Sequence, residues 1–359
     1  MAYSPFRHIG SVFWKRRPIQ LTFFLTKRCN SRCPFCFYRA GKDTQDERVN
    51  ELTPGEIEKI SASMGRLLWL AFSGGEIFLR DDIVEITKVF YERNRPAIIL
   101  FPTNGLLTGV IREKIGAILK HCRNSTIVVK LSLDGPEQVH DQIRGTGGSY
   151  RKTMQTYESL KTLIDEYRNF ELGINTVYCS ANQDYMDEVI EFVSGLEKIN
   201  THTVSLVRGK GLSEIDIEKY RVTIDKLAGN LKKHISGTYS FRGGRLKAAQ
   251  DILQRRLIYE TETRKKKLVD CYAGRLNLVL TETGDLYPCE SFSMKMGNVR
   301  EADYDIKEMM RSGKVQKVLA SIRRDGCFCS HECYLMTNIL FNISMYPKLI
   351  REYIHLAGS

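Results

Sequence analysis

The stretch Cys29-Asn-Ser-Arg-Cys33-Pro-Phe-Cys36 is the most informative part of this 359-residue sequence. Its three cysteines have the spacing C-x3-C-x2-C and follow an apolar segment, residues 20–25, that predicts a strand. Thiolates in such a loop bind iron–sulfur clusters, zinc or copper(I). A structural zinc site takes four ligands, whereas three cysteines on a cubane of four irons leave one iron open to another ligand. A zinc loop completed by a distant residue would show the same triplet.

The remaining cysteines and the charge narrow the class of protein. Because no segment has the order of a secretion signal and no run of about eighteen apolar residues occurs, we expect a soluble cytoplasmic protein without a transmembrane segment. In that setting ten cysteines favour bound metal over disulfides. The net charge of +12 predicts a solvated basic surface, with an anionic partner as the alternative. Cys122 and Cys179 stand alone, and a second group predicts a second metal site on Cys271, Cys289, Cys327, Cys329 and Cys333.

Strand-like and helix-like segments alternate along the first two thirds of the chain. One of the helix-like stretches begins at Pro54, where Thr53 and Glu56 form a capping box. Repeated βα units give a parallel sheet, and six of them predict an α/β fold with a partial (β/α)6 barrel. The chemistry of such a barrel lies at the C-terminal ends of its strands. The predicted strands are 20–25, 68–72, 97–101, 127–133, 171–178 and 203–207.

Short motifs follow these strands in order. They are Ser73-Gly-Gly-Glu76, Thr103-Asn-Gly105, Ser132-Leu-Asp-Gly135 and His140–Gly145. Together with the cysteine triplet they resemble the radical S-adenosylmethionine (radical SAM) superfamily, up to about Arg208. The resemblance implies that Cys29, Cys33 and Cys36 bind a 4Fe-4S cluster on which SAM is held. The implied cofactor contacts are Gly74, Gly75 and Glu76 at the methionine ammonium group, Ser132 and Asp134 near the ribose, Arg144 at the carboxylate, and Phe35, Asn104 and Asn175.

The second cysteine group begins with the spacing C-x12-G-x4-C, from Cys271 through Gly284 to Cys289. This element resembles the opening of the SPASM/twitch extensions, which bind auxiliary 4Fe-4S clusters in relatives. A full SPASM pattern has more cysteines, so the resemblance implies one auxiliary cluster on four of the five thiols, and the spacing leaves open which four. A zinc ribbon would use the same residues. Some relatives carry a catalytic carboxylate here, which would make Glu290 a general base; an ordinary surface glutamate is the alternative.

These segments predict five parts of the chain. The final helix is expected to pack against the barrel, and a helix lying on a membrane surface is the alternative. The parts are an N-terminal lead-in (1–18), the barrel (19–211), a helical connector (212–267), a cysteine-rich SPASM/twitch-like iron–sulfur domain (268–335) and a C-terminal helix (336–359).

The resemblance also implies a reaction. SAM is cleaved reductively to a 5′-deoxyadenosyl radical, which removes a hydrogen atom from the substrate, with an electron donor such as flavodoxin or ferredoxin. An auxiliary cluster that accepts an electron would make the enzyme an oxidative maturase of a peptide, or of a natural product such as a sugar or an alcohol.

Two other functions compete with oxidative maturation. A redox-neutral epimerase would need a hydrogen donor, which would be Cys179 or the spare thiol of the second group. Cys179 is the first candidate because the period of two places it on one strand face with Asn175. The alternative for Cys179 is a small buried hydrophobe. A zinc and nucleic-acid-binding protein is the function from a different class. Since the sequence shows neither an RNA-binding module nor a basic–aromatic stripe, no nucleic acid is expected.

Overall fold

A computed structural model describes residues 2–38, 50–233, 239, 243–324 and 327–356. Strands and helices alternate through the first half of the chain, as the sequence predicts. The strands are β1 (Gln20–Thr26), β2 (Trp69–Gly74), β3 (Ile98–Thr103), β4 (Thr126–Ser132), β5 (Phe170–Tyr178), β6 (Thr201–Leu206), β7 (Asn277–Leu280), β8 (Asp285–Tyr287) and β9 (Gly297–Asn298).

The α-helices differ in length from one turn to about six turns. They are α1 (Pro54–Ser63), α2 (Ile83–Asn94), α3 (Thr108–His121), α4 (Glu137–Arg144), α5 (Ser149–Lys161), α6 (Leu163–Glu166), α7 (Met186–Ser194), α8 (Ile217–Lys233), α9 (Gly244–Arg264), α10 (Ile306–Met309), α11 (Gly313–Arg324), α12 (Glu332–Leu340) and α13 (Tyr346–His355). Short 3-10 helices occupy Pro5–Val12, Ile77–Leu79, Gln183–Tyr185, Gly209–Glu214, Val299–Ala302 and Ile343–Met345. None of the helices in the described ranges is both long and apolar enough to cross a membrane.

The first six strands form a parallel sheet in the order β6-β5-β4-β3-β2-β1. Every residue of β1 is buried, as expected for a strand covered on both faces. The predicted capping box at the start of α1 is present: Thr53 and Glu56 each accept a hydrogen bond from the other's backbone N–H. The α/β fold with a six-stranded open barrel is therefore confirmed.

The cysteine-rich segment shares this sheet. Strand β7 pairs in parallel with β1, from Gln20 opposite Asn277 to Phe23 opposite Leu280, and β8 and β9 continue the sheet antiparallel. Gly284 turns the β7–β8 hairpin with φ +87°, a conformation that favours glycine. The hairpin explains the C-x12-G-x4-C spacing, because its two ends carry the first two cysteines of the second group.

Helices α8, α9, α12 and α13 pack together beside the barrel. Buried side chains of α9, including Ile252 and Leu253, contact an apolar cluster with Ile339 of α12 and Leu349 of α13. This arrangement places the start of α12, with Glu332 and Cys333, next to the C-terminal end of β6. The cysteine-rich segment therefore meets the barrel at the end of the strands where chemistry is expected.

Candidate active site

A cavity of about 680 Å³ lies at the C-terminal edge of the six parallel strands. Its volume is within the roughly 300–1,000 Å³ typical of small-molecule sites. Residues from all six strand ends contribute to its wall, because parallel strands end at the same edge of the sheet. The sequence-predicted residues that line it are Cys29, Cys33, Phe35, Cys36, Gly74, Gly75, Glu76, Asn104, Ser132, Arg144 and Asn175.

The three thiols of the first loop are half-buried and face this cavity. The Cys29 Sγ accepts a hydrogen bond from the backbone N–H of Ser31 at 3.4 Å. Burial raises the pKa of the Cys33 thiol, the Cys29 and Cys36 thiols raise it further, and Arg144 opposes them. Among the described residues, no three His, Cys, Asp or Glu side chains lie close enough to share a single metal ion. The three soft sulfur donors, with the Arg144 guanidinium beside them, fit a cluster that is bound by thiolates.

Two glycines bring the second strand against the base of the cysteine loop. A Cβ on Gly74, where φ is +115°, would lie 2.3 Å from the Thr26 carbonyl oxygen, and one on Gly75 would lie 2.0 Å from that of Arg28. The Gly75 N–H donates to the Thr26 oxygen at 2.7 Å and the Glu76 N–H to the Arg28 oxygen at 2.8 Å. Besides their implied contact with the methionine ammonium group, these two positions therefore have a structural requirement for glycine. Only glycine permits the close backbone contact that supports the cysteine loop.

Glu76 is buried at the floor of the cavity, and its carboxylate is held by three donors. The Thr103 hydroxyl and the Asn104 backbone N–H each donate to it at 2.8 Å, and the Phe78 N–H donates at 3.2 Å. Burial raises the pKa of the Glu76 carboxyl to about 7, against these hydrogen bonds. A bound ammonium group would stabilise the ionised form, so the site suits a cationic ligand group.

Asp134 and Arg144 form an ion pair beside the cavity. The Arg144 Nη2 lies 2.5 Å from the Asp134 Oδ2, and the side chains are 9% and 0% exposed. Asp134 Oδ1 accepts the backbone N–H of Val177 at 2.8 Å, and Asp134 is not among the cavity-lining residues. Arg144 Nη1 lies 3.9 Å from the Cys33 Sγ, and the guanidinium lies 5.9 Å from the Phe35 ring centroid. The predicted SAM-contacting arginine therefore also has a fixed carboxylate partner.

Cys179 is not among the residues that line the cavity. Strand β5 ends at Tyr178, and the Asn182 and Gln183 N–H groups donate to the Cys179 oxygen in the turn that follows. Asn175 and Val177 line the cavity, but Cys179 is 6% exposed and packs in an apolar cluster with Ile143. Burial raises the pKa of its thiol.

The second group of thiols converges at the ends of the β7–β8 hairpin and at the loop before α12. Burial raises the pKa of Cys271 to about 11, and the thiols of Cys327 and Cys289 raise it further. Burial likewise raises the pKa of Cys329 to about 12, with additional increases from Cys271, Cys289 and Cys327. Burial raises the pKa of the Cys333 thiol, and the positive charge of the Arg208 guanidinium opposes this increase.

Arg208 is a cavity residue that the sequence did not single out. It follows β6, lines the cavity, forms an ion pair with the buried Glu290, and lies 4.6 Å above the Phe37 ring centroid. Glu290 itself is not among the residues that line the cavity. The position of Arg208 directly after a strand is the signal that could have identified it.

Ser205 and Glu332 were also not predicted. Ser205 lines the cavity and donates to both the Asn175 Oδ1, at 3.3 Å, and the Glu332 carboxylate. Burial raises the pKa of the Glu332 carboxyl to about 7. Glu332 gives no local sequence signal, because it reaches the barrel only through the packing of α12.

Comparisons with known proteins agree with both halves of the site. Residues 23–193 match the radical SAM superfamily, and residues 271–334 match SPASM, described as an iron-sulfur cluster-binding domain. The AdoMet-dependent heme synthase of Methanosarcina barkeri is 26% identical over 84% of each chain. The sporulation killing factor maturation protein SkfB of Bacillus subtilis is 26% identical over 51% of this chain and 42% of its own. The solved structure of anSMEcpe with bound AdoMet has a TM-score of 0.60 at 18% identity, over 95% of this chain and 98% of its own.

Proposed function

Because the chain belongs to the radical SAM superfamily and carries a SPASM domain, we propose that it oxidatively matures a peptide substrate. Membership of this family implies 4Fe-4S clusters and SAM as cofactors. We assign the SAM-binding cluster to Cys29, Cys33 and Cys36, whose thiols face one cavity. When bound, this cluster and SAM would supply the radical chemistry that removes a hydrogen atom from the substrate, and a second cluster on the C-terminal thiols would supply an acceptor for the second electron.

The protein's own residues would position the cofactor. Glu76, fixed by Thr103 and Asn104, offers a carboxylate to the methionine ammonium group. Arg144, one side of which is held by Asp134, offers its remaining donors to the methionine carboxylate. The proposed contacts to the adenosine part are Phe35, Ser132, Asp134 and Asn175, of which Asp134 would act through Arg144 and the Val177 backbone.

One observation carries the oxidative part of the proposal. Arg208 lines the cavity and forms an ion pair with Glu290, the residue that follows Cys289, so this side chain connects the cavity with the segment that carries the second group of thiols. A redox group bound there would lie close enough to receive an electron from a substrate in the cavity. Glu290 is the proposed acceptor of the substrate proton, and its carboxylate forms an ion pair with the cavity residue Arg208. A one-electron donor such as flavodoxin or ferredoxin would reduce the first cluster.

A peptide is the first substrate class to test, and a tetrapyrrole is the second. SkfB is by name a sporulation killing factor maturation protein, and the similarity covers 42% of its length. Coverage favours the tetrapyrrole, since the similarity to the heme synthase of Methanosarcina barkeri extends over 84% of both chains. The anaerobically reconstituted enzyme should be incubated with a candidate precursor peptide and, separately, with a carboxylated iron porphyrin. Turnover of the porphyrin without the peptide would replace our proposal with the second one.

The isotopic composition of the product separates oxidation from epimerisation. With the wild-type enzyme in deuterated water, we expect a product that lacks two of the substrate's hydrogens and gains no carbon-bound deuterium. Cys179→Ala should then change only packing, on the order of 1 kcal/mol, and leave turnover intact. Mass spectrometry and NMR of the product give the answer. Deuterium at one carbon, lost in the Cys179→Ala variant, would establish a redox-neutral epimerase.

The second prediction concerns the spare cysteine of the auxiliary site. Burial and the neighbouring Cys289 and Cys327 thiols raise the pKa of both Cys271 and Cys329, whereas the charge of Arg208 opposes the increase at Cys333. We therefore propose Cys271, Cys289, Cys327 and Cys329 as ligands. Iron bound after anaerobic reconstitution should fall by about one cluster in Cys329→Ser and stay unchanged in Cys333→Ser. Electron paramagnetic resonance of the reduced variants distinguishes the two clusters. Loss of the auxiliary signal in Cys333→Ser with retention in Cys329→Ser would reverse the assignment.

A further inference from the structure

The 3-10 helix Pro5–Val12 crosses the edge of the sheet opposite the cavity. The Tyr3 N–H donates to the Asn124 oxygen at 2.7 Å, and Arg7 donates to the Leu67 oxygen at 2.8 Å. Both carbonyls precede strands, so they lie at the N-terminal ends of the sheet. His8 and Val12 face the protein and are buried.

The outer side of this segment is apolar. Ile9, Phe13 and Trp14 are 65%, 66% and 66% exposed, and Phe6 is 44% exposed. The Phe13 and Trp14 rings contact each other with centroids 5.9 Å apart. Single exposed apolar residues are ordinary, but a contiguous group on one short segment marks an interaction surface.

Cations surround these apolar side chains. Arg16 and Arg17 follow Trp14 after one intervening lysine, and all three residues are exposed. Arg66 and Arg95, also exposed, come from the loops before β2 and β3. Burial lowers the pKa of Arg7, and the charges of Arg66 and Arg95 lower it further, which places these cations beside the 3-10 helix. Among the described residues, no carboxylate forms an ion pair with any of the four exposed arginines, which are Arg16, Arg17, Arg66 and Arg95.

We propose that this basic–aromatic surface, formed by Phe6, Ile9, Phe13, Trp14, Arg16, Arg17, Arg66 and Arg95, binds the surface of an anionic lipid bilayer. Unpaired arginines complement lipid phosphates, and exposed aromatic and aliphatic side chains enter the boundary between headgroups and acyl chains. The cavity is on the opposite edge of the sheet and would remain open to solvent.

Two other occupants fit the surface less well. A second copy related by a two-fold axis would bring the same unpaired arginines against each other. A nucleic acid would complement the charge and could stack on Trp14, but it would leave the branched Ile9 without a partner. No local sequence pattern marks this surface, because Arg66 and Arg95 join the N-terminal aromatics only in the fold.

Vesicle binding tests the proposal. We expect the reconstituted protein to float with vesicles of phosphatidylcholine and phosphatidylglycerol, and not with phosphatidylcholine alone. In a Trp69→Phe background the emission of Trp14 should shift to the blue on adding the anionic vesicles. Arg16→Glu/Arg17→Glu should weaken binding about tenfold or more. The control Lys314→Glu/Lys317→Glu lowers the net charge equally at exposed positions of α11 and should bind like wild type.

An apolar variant separates insertion from simple charge attraction. Phe13→Ser should lose most of the vesicle binding. Val222→Ser, which also replaces an exposed apolar side chain with serine but lies on α8, should keep it. The rate of reductive SAM cleavage should be the same in all these variants. A failure of the lipid-binding proposal can therefore be distinguished from a failure of the proposed function. Three results would overturn the proposal. The first is equal binding to both vesicle types, and the second is a dimer in light scattering that dissociates in the Phe13→Ser variant. The third is binding to a single-stranded oligonucleotide that prevents vesicle binding.

Discussion

Replacing Cys29, Cys33 and Cys36 together with alanine is expected to abolish reductive cleavage of SAM while iron remains bound at the second group of thiols. The three side chains are the cysteines that line the cavity, and a cluster needs thiolate ligands. Production of 5′-deoxyadenosine should fall to the level of the reaction without enzyme. Iron and sulfide should fall by about one cluster, measured after anaerobic reconstitution with a chemical reductant and SAM.

Cys122→Ala is the matched control for this triple variant. Cys122 is a buried cysteine that lies outside the cavity, in the main apolar core, so its replacement should leave iron, sulfide and 5′-deoxyadenosine unchanged. Continued formation of 5′-deoxyadenosine by the triple variant would disprove the ligand assignment. Zinc without sulfide in the wild-type protein would support the zinc alternative instead.

The parts of this molecule that were predictable are local in sequence. The cysteine triplet, the Gly74–Gly75 turn and the capping box at Thr53 each lie within a few residues, so spacing alone identifies them. The alternation of strands and helices then brings the motifs to one edge of the sheet. Because each motif follows a strand, and the parallel strands end at the same edge of the sheet, the motifs come to surround one cavity.

The features that were missed depend on distant pairings. Strand β7 is four residues of ordinary apolar sequence, and nothing in it specifies parallel pairing with β1. Arg208 meets Glu290 across the interface of barrel and cysteine-rich segment, and neither residue has a local signal for the other. Cys179 comes directly after the last residue of β5, and strand periodicity alone does not determine the direction of a side chain there.

Arg144→Ala is expected to destabilise the protein as well as to weaken SAM binding. From the sequence alone, its effect would fall on SAM affinity and spare the iron content. The structure adds the Asp134 ion pair, in which both partners are almost fully buried. Removing the arginine leaves a buried carboxylate without its counter-charge, which costs about 3–5 kcal/mol of unfolding free energy.

Denaturant unfolding of three variants and the wild-type protein, combined with equilibrium dialysis of SAM, separates these two roles of Arg144. Arg93→Ala removes an exposed ion pair with Glu58 and should cost less than about 1 kcal/mol. Asp134→Asn/Arg144→Met removes both charges and should be more stable than Arg144→Ala, while still binding SAM poorly. An Arg144→Ala protein that unfolds at the wild-type denaturant concentration would show that the ion pair contributes no net stability. If SAM affinity were also unchanged, Arg144 would have neither role. The buried pair would then serve only to fix helix α4 beside the cysteine loop, where the Arg32 N–H donates to the Arg144 oxygen at 2.9 Å.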